Sequence, residues 1–388
     1  MKIFLRAVSG VLFLALLSVG ACTKSEHATG LASVNANEIV FGEYGSMTGE
    51  ESTFGVSTHK GIMMAVAELN RAGGIKGKQI RLVSYDDQGK TDEAVTAVTK
   101  LITQDKVNLV LGEVASSRSI AAGSVAQANH VPMISPSSTN IRVTQTGDYI
   151  FRVCFVDSFQ GLVMAKFAFD ELKLKKAAVF RDIKSDYSMG LAQAFEDSFK
   201  KLGGTIVAES AYSSGDMDFK SQLTALKEKG PDLIFIPGYY TEVGLIARQA
   251  REMGIQGPML GGDGWDSDKL EEIGGKSIVG SYFSAHYSPE DKNPAVQNFV
   301  NQYRARYSET PNSLAAMGYD ATKIAADAVN RAKDLSPTSI RDAIAATQNF
   351  QGVTGIITLN KDRNAIKPAV VLKVMEGDKY QYVTTVNP

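Results

Sequence analysis

Residues 107–135 read VNLVLGEVASSRSIAAGSVAQANHVPMIS, and this stretch decides the fold class. Val107 to Gly112 is an apolar run broken only by Asn108, suited to a strand covered on both faces. A helix follows, beginning near Arg118, and Val131 to Ser135 is again a short apolar strand. Strand, helix, strand within so few residues is the unit of a parallel sheet with helical crossovers.

The same alternation extends outward. Ile39 to Tyr44 reads as a strand, followed by a helix from about Val56 with Ile62, Val66 and Leu69 on one face. Gln79 to Tyr85 is a strand, and the next helix groups Ala94, Val98, Leu101 and Ile102. The pattern then restarts, with strands at Ala177 to Arg181, Thr205 to Tyr212, Leu233 to Pro237 and Met259 to Gly261. Helices are expected at Met189 to Leu202, Phe219 to Lys229 and Glu242 to Met253. A helical tract from about Pro294 to Thr347 returns to the first half, and strands near Gly355 to Leu359 and Ala369 to Met375 close the structure. The expectation is an α/β protein with two doubly wound parallel sheets and a cleft between them. A chain of 388 residues fits two domains better than one core.

Composition narrows the function. The hydrophobic fraction is 44% and the formal net charge -1, so there is no basic surplus to neutralise phosphates, and a nucleic-acid partner is not expected. Cys22 and Cys154 form no spaced cluster, and His27, His59, His130 and His286 lie without ligand spacing. No metal site or cofactor is therefore expected. Gly77-Lys78 and Gly275-Lys276-Ser277 look like pieces of a phosphate-binding loop, but the required earlier glycine is Ala72 or Leu270.

The N-terminus reads as an export signal. Lys2 and Arg6 precede an apolar run, Val8 to Val19, short for a bilayer span. Val19-Gly20-Ala21-Cys22 resembles the lipobox of bacterial lipoproteins, which implies a signal peptide over 1–21 and lipid on Cys22. Residues 22–37 would be a lipidated polar tether. Membrane contact through the lipid alone, in the periplasm or at the cell surface, is the expectation.

Ligands in open parallel sheets bind where strand ends feed loops and helix starts. Ser116 and Ser117 follow the strand ending at Gly112, where a helix N-terminus favours an anion, although one serine could simply be the cap. Pro132 to Asn140 brings Ser137, Ser138 and Thr139 to the next strand end. In the second half, Asp186-Tyr187, Gly238-Tyr239-Tyr240 and Gly261-Gly262-Asp263-Gly264-Trp265 follow strands. Glycines beside Asp263 leave its carboxylate open to a cation such as an ammonium group, and the aromatics read as pocket walls. An acidic turn is the plainer reading of Asp-Gly.

Taken in order, Gly45-Ser46-Met47-Thr48-Gly49, Phe54-Gly55, Gly112 to Ser117, Met133-Ile134-Ser135-Pro136, Phe151-Arg152 with Asp157 and Gln160-Gly161, Gly238-Tyr239-Tyr240 and Tyr319-Asp320-Ala321 resemble the leucine/isoleucine/valine-binding family of periplasmic receptors. The resemblance implies a type I periplasmic binding protein fold with three crossovers. Lobe 1 would be 38–156 plus 287–365, and lobe 2 would be 157–286 plus 366–388. It also implies that Ser116 and Thr139 bind the ligand α-carboxylate, and that the Ser138 carbonyl and Asp263 take the α-ammonium. Tyr187 and Tyr239 would close over the ligand, with Phe54 lining the side-chain pocket; Trp265 is added from its nearness to Asp263. Asp263 stands where some relatives have glutamate, and a cysteine pair of some relatives is missing.

The expected function is a monomeric, lipid-anchored receptor that passes a small apolar or branched-chain α-amino acid to the permease of an ABC transporter. A sensing receptor for amides or small organic acids on the same fold is the alternative. A serine hydrolase needs a base at a strand end, and only His286 lies near a lobe crossover, so catalytic residues are not expected.

Overall fold

A computed structural model describes residues 38–377 and 379–388. The expected signal peptide, the tether and Cys22 lie outside these residues.

The first sheet holds β1 (Glu38–Gly45), β2 (Gln79–Asp86), β3 (Leu109–Leu111), β4 (Met133–Ser135) and β5 (Ile150–Arg152) in the order β2-β1-β3-β4-β5, all parallel. β1, β3, β4 and β5 are buried along nearly their whole length, as strands covered by helices on both faces must be. The second sheet contains β6 (Lys176–Asp182), β7 (Thr205–Tyr212), β8 (Leu233–Phe235), β9 (Met259–Gly261) and β10 (Tyr282–Ala285). After the small antiparallel sheet β11 (Phe350–Gly352), β12 (Gly355–Leu359) and β13 (Ala365–Ile366), the strands β14 (Ala369–Met375) and β15 (Lys379–Val386) extend that second sheet. Its order is β15-β14-β10-β9-β8-β6-β7.

The chain passes between the two sheets three times. β5 leads into the helix Asp157–Lys166, which packs on the helix Asp186–Lys201 of the second sheet. After β10 the chain returns to the helix Ser313–Arg331, packed on Ser52–Arg71 beside the first sheet. From β13 it crosses again to β14.

Several elements differ from the sequence reading. The second sheet is mixed rather than wholly parallel, because β14 enters from the last crossover running against β10 and β15 folds back on it. The strand expected over Val107 to Gly112 shortens to Leu109–Leu111. Asn108 uses its side chain to accept from the Val40 N–H at 2.8 Å, and Gly112 turns away at φ +136°. The first helix starts at Ser52 and the third at Ser116, each earlier than its apolar face announces. The long helical tract is three helices, Pro294–Tyr307, Ser313–Arg331 and Pro337–Ala345, each started by a capping side chain: Asn293, Asn312 and Ser336.

Among the described residues no helix is long and apolar enough to cross a membrane. The return to the first sheet depends on glycine. A Cβ on Gly61 would lie 1.9 Å from the Ala315 carbonyl oxygen, and one on Gly318 would lie 2.5 Å from that of Thr58. The two helices thus touch backbone to backbone. Gly61→Val is expected to lower unfolding free energy by about 1–3 kcal/mol through overpacking, read as a lower urea midpoint; a midpoint equal to that of the unsubstituted chain would contradict this contact.

Candidate functional site

The turn after β3 is built around a buried acid. Glu113 accepts from the backbone N–H and hydroxyl of Ser46, at 3.2 and 2.8 Å, and from the Ala115 N–H at 2.5 Å. Arg118 lies 3.1 Å from the same carboxylate and also pairs with Glu51. Glu113 thereby fixes the start of the helix Ser116–Ala128, whose cap position is Ala115, so neither serine is the cap. The Ser116 hydroxyl accepts from the Asn140 N–H at 3.2 Å.

The loop after β4 folds back onto this turn. Ser135 and Ser138 hydroxyls reach the Glu113 carbonyl at 2.7 and 2.8 Å. The Ser138 carbonyl accepts from Arg152 at 2.7 Å and from the Cys154 thiol at 3.3 Å. Both polar groups of Ser138 are therefore engaged within the loop. The Thr139 hydroxyl is buried beside the Asp157 carboxyl without a well-formed hydrogen bond in the protein, while its carbonyl accepts from the Asp157 N–H at 2.9 Å. A buried orphan hydroxyl costs free energy unless something meets it.

Opposite this wall, strand ends of the second sheet contribute Tyr187, Tyr239 and Asp263. The two tyrosine rings stack at 5.3 Å with 5° between their planes. Phe54 from the first body meets Tyr239 edge-on at 5.3 Å and Tyr240 at 5.1 Å. Phe54, Val114, Ser137, Tyr187, Tyr239, Asp263 and Gly264 line a cavity of about 10 Å³. That is room for about one water molecule, so the aromatic walls must part from Asp263 before an amino acid can enter.

Asp263 is the one carboxylate in this lining. Its Oδ1 accepts from the Gln160 amide at 2.7 Å, and its Oδ2 lies 3.0 Å from His286 Nε2 and 3.4 Å from the Ser137 hydroxyl. Burial pushes the Asp263 carboxyl up to about 7 and holds His286 well below its usual range, so the imidazole is neutral. His286 Nδ1 has no partner. The tautomer with the proton on Nε2 leaves only an acceptor unmet and lets the ring donate to Asp263.

The bodies carrying the two sheets touch across the mouth of the cavity. The Ser117 hydroxyl accepts from the Asp186 N–H at 3.0 Å, so Ser117 joins the two bodies. Asn140 donates to the Asp186 carbonyl at 2.6 Å, and Arg142 pairs with the Asp186 carboxylate at 2.6 Å. The hydroxyls of Thr53 and Ser267 meet at 2.8 Å.

Of the residues singled out from sequence, Phe54, Tyr187, Tyr239 and Asp263 line the cavity. Ser116 and Thr139 lie buried in the adjoining turn and loop. Trp265 does not line it: fully buried, it donates to the Ile236 carbonyl at 2.9 Å and packs near Phe283, which makes it core. Sequence reasoning missed Val114, Ser137 and Gly264 in the lining, and Gln160 and His286 as partners of Asp263. Ser137 stands in the hydroxyl-rich run already noticed, but nothing in the spacing distinguishes it from its neighbours. Ser137, His286 and Asp263 do not form a hydrolytic relay. Serine and carboxylate share the same imidazole nitrogen, 3.3 and 3.0 Å away, whereas a triad needs them on opposite nitrogens.

Known proteins resemble this chain along most of its length. Residues 38–379 match the model of a family described as periplasmic binding protein. The solved structure of a leucine binding protein from Thermotoga maritima is 39% identical, with a TM-score of 0.86, covering 90% of this chain and 99% of its own. A branched-chain amino acid transporter substrate-binding protein from Streptococcus pneumoniae, solved with isoleucine, is 37% identical, with a TM-score of 0.85 and coverage of 90% and 100%. Among curated proteins, a Leu/Ile/Val-binding protein homolog of Brucella melitensis is 30% identical over 88% of this chain and 92% of its own length.

Asp263 links the site to stability. Its folded value of about 7 lies above the ~3.9 of an unfolded aspartate, so the native state holds a proton that the unfolded state has released. This stabilising contribution is full below pH ~4 and is lost as the pH rises through about 7. Relative to the unsubstituted protein freed of ligand, Asp263→Asn should gain at least about 1 kcal/mol between pH 5 and pH 8 in urea unfolding; a difference that stays flat would show that Asp263 is already ionised.

Proposed function

The chain belongs to the periplasmic binding protein family, and on that premise we propose that it is the exported receptor of an ABC transporter. It captures a small α-amino acid, branched-chain or otherwise apolar, and passes it unchanged to the membrane permease. The observation that carries this reading is the single carboxylate, Asp263, at the edge of a small aromatic-walled cavity.

A buried carboxylate whose donors are all neutral gains most from a cation brought by the ligand. The α-ammonium of an amino acid supplies that charge and draws Asp263 into its ionised form. The α-carboxylate is received by the orphan Thr139 hydroxyl and by the start of the helix at Ser116, where first-turn N–H groups lack helical partners. Phe54, Tyr187 and Tyr239 envelop the side chain, and their rigid rings bring apolar area at little cost in conformational entropy. The lobes, 38–156 with 287–365 and 157–286 with 366–388, close on the ligand by hinge motion at the three crossovers, and the closed form is the one presented to the permease. Cys22 carries the lipid that holds this monomer in the periplasm or at the cell surface.

Calorimetry with leucine, isoleucine and valine should give a Kd in the micromolar range or tighter for at least one of them. Asp263→Asn should weaken that binding by about thirtyfold or more, since removing one partner of a buried charge pair costs roughly 2–5 kcal/mol. No heat from any of the twenty amino acids would overturn the reading, and amide binding that survives Asp263→Asn would favour a sensing receptor instead.

A further inference from the structure

We propose that Gln160 is a positioning residue whose carboxamide clamps Asp263 in the orientation that receives the ligand ammonium and ties this anchor to the first crossover. The inference rests on Asp263 being the ammonium acceptor.

The clamp has two points. The Gln160 Nε2 group donates to Asp263 Oδ1 at 2.7 Å, and its Oε1 accepts from the Asp263 backbone N–H at 3.3 Å. Turning the amide over would set oxygen against carboxylate and N–H against N–H, so the pairing itself fixes the amide. The fit is close on both sides. A Cβ on Gly262 would lie 2.3 Å from Gln160 Oε1, so the amide reaches Asp263 only past a glycine. A Cβ on Gly161 would lie 2.7 Å from the Ala194 and Phe195 backbone, so glycine also lets the helix carrying Gln160 sit against its neighbour.

One helical turn connects the two polar ends of the site. Thr139 O accepts from the Asp157 N–H at 2.9 Å, and Gln160 N–H donates back to Val156 O at 3.0 Å. The loop proposed to take the ligand carboxylate is thus joined through that turn to the residue proposed to take its ammonium.

A neutral donor suits this place. A lysine would neutralise Asp263 and a glutamate would repel it, whereas an amide steadies the carboxylate and leaves its charge for the ligand. The other titratable groups facing Asp263 are His286, Tyr187, Asp157, Asp266 and Cys154. The imidazole is neutral, and burial keeps the acids, the phenol and the thiol toward their uncharged forms. Without the Gln160 donor, burial would favour the protonated carboxyl, which cannot pair with an ammonium.

The test is leucine binding by calorimetry from pH 6 to pH 8.5 for the unsubstituted protein, Gln160→Met and Asp263→Asn, with Gln160→Leu in reserve should the methionine variant fail to fold. Gln160→Met should bind about ten- to a hundredfold more weakly at pH 7, as for the loss of a charge-assisted hydrogen bond. The deficit should shrink toward pH 8.5, because a carboxyl that has lost its donor ionises later. An unchanged affinity, or a deficit equal at every pH, overturns the proposal. If Asp263→Asn keeps full leucine affinity, the assignment of Asp263 itself fails; if it loses binding while the Gln160 variants show no pH-dependent deficit, only this inference falls.

Discussion

A carboxylate taken out of water must find a counter-charge or keep its proton. Asp263 is held in that position by its surroundings: its donors include the Gln160 amide, a neutral His286 and the Ser137 and Tyr187 hydroxyls, and none of these brings a positive charge. The rest of the molecule can be understood as the apparatus that keeps this carboxylate dry and in place. Two sheets set strand ends opposite one another, Tyr187 and Tyr239 cover the gap, and glycines at 262 and 264 let Gln160, Tyr187 and Tyr239 pack against the turn that carries Asp263.

When such a site is empty, burial keeps its carboxyl toward the protonated form. The free energy withheld from Asp263 by burial becomes available when an ammonium enters, so affinity and closure draw on the same source. The contacts across the mouth, at Asp186 and at Ser267, are hydrogen bonds and one partly exposed ion pair. Each is weak alone, so these contacts by themselves would not hold the proposed closed form once the ligand's charge has left.

The fold was legible because its signals are local. Apolar runs of β1, β3 and β6 and the helical faces between them follow directly from periodicity, and family-like segments fix their order. Short strands such as Ile150–Arg152 and Tyr282–Ala285 were missed because three or four residues carry no period of their own and are held by neighbours in the sheet. The site was legible in part. Phe54, Tyr187, Tyr239 and Asp263 stand at strand ends or beside tight glycine turns, where residue type suffices to predict a pocket wall. Ser138 and Trp265 stand in equally suggestive places. Their roles turn on which way a carbonyl points and which side of a three-residue turn an indole occupies, and one-dimensional spacing holds neither. Gln160 and His286 reach Asp263 across 103 and 23 residues of chain, so only the folded arrangement reveals them.

The central claim is that Asp263 awaits a ligand's positive charge, and a matched pair of ligands tests it most directly. Leucine and 4-methylpentanoate share the carboxylate and the branched chain, and differ by the ammonium group. Calorimetric titration of the ligand-free protein at pH 7.5 should show leucine binding at least about a hundredfold more tightly, since the acid without an amine leaves a buried polar group unmet. Equal affinity for the two would contradict the account.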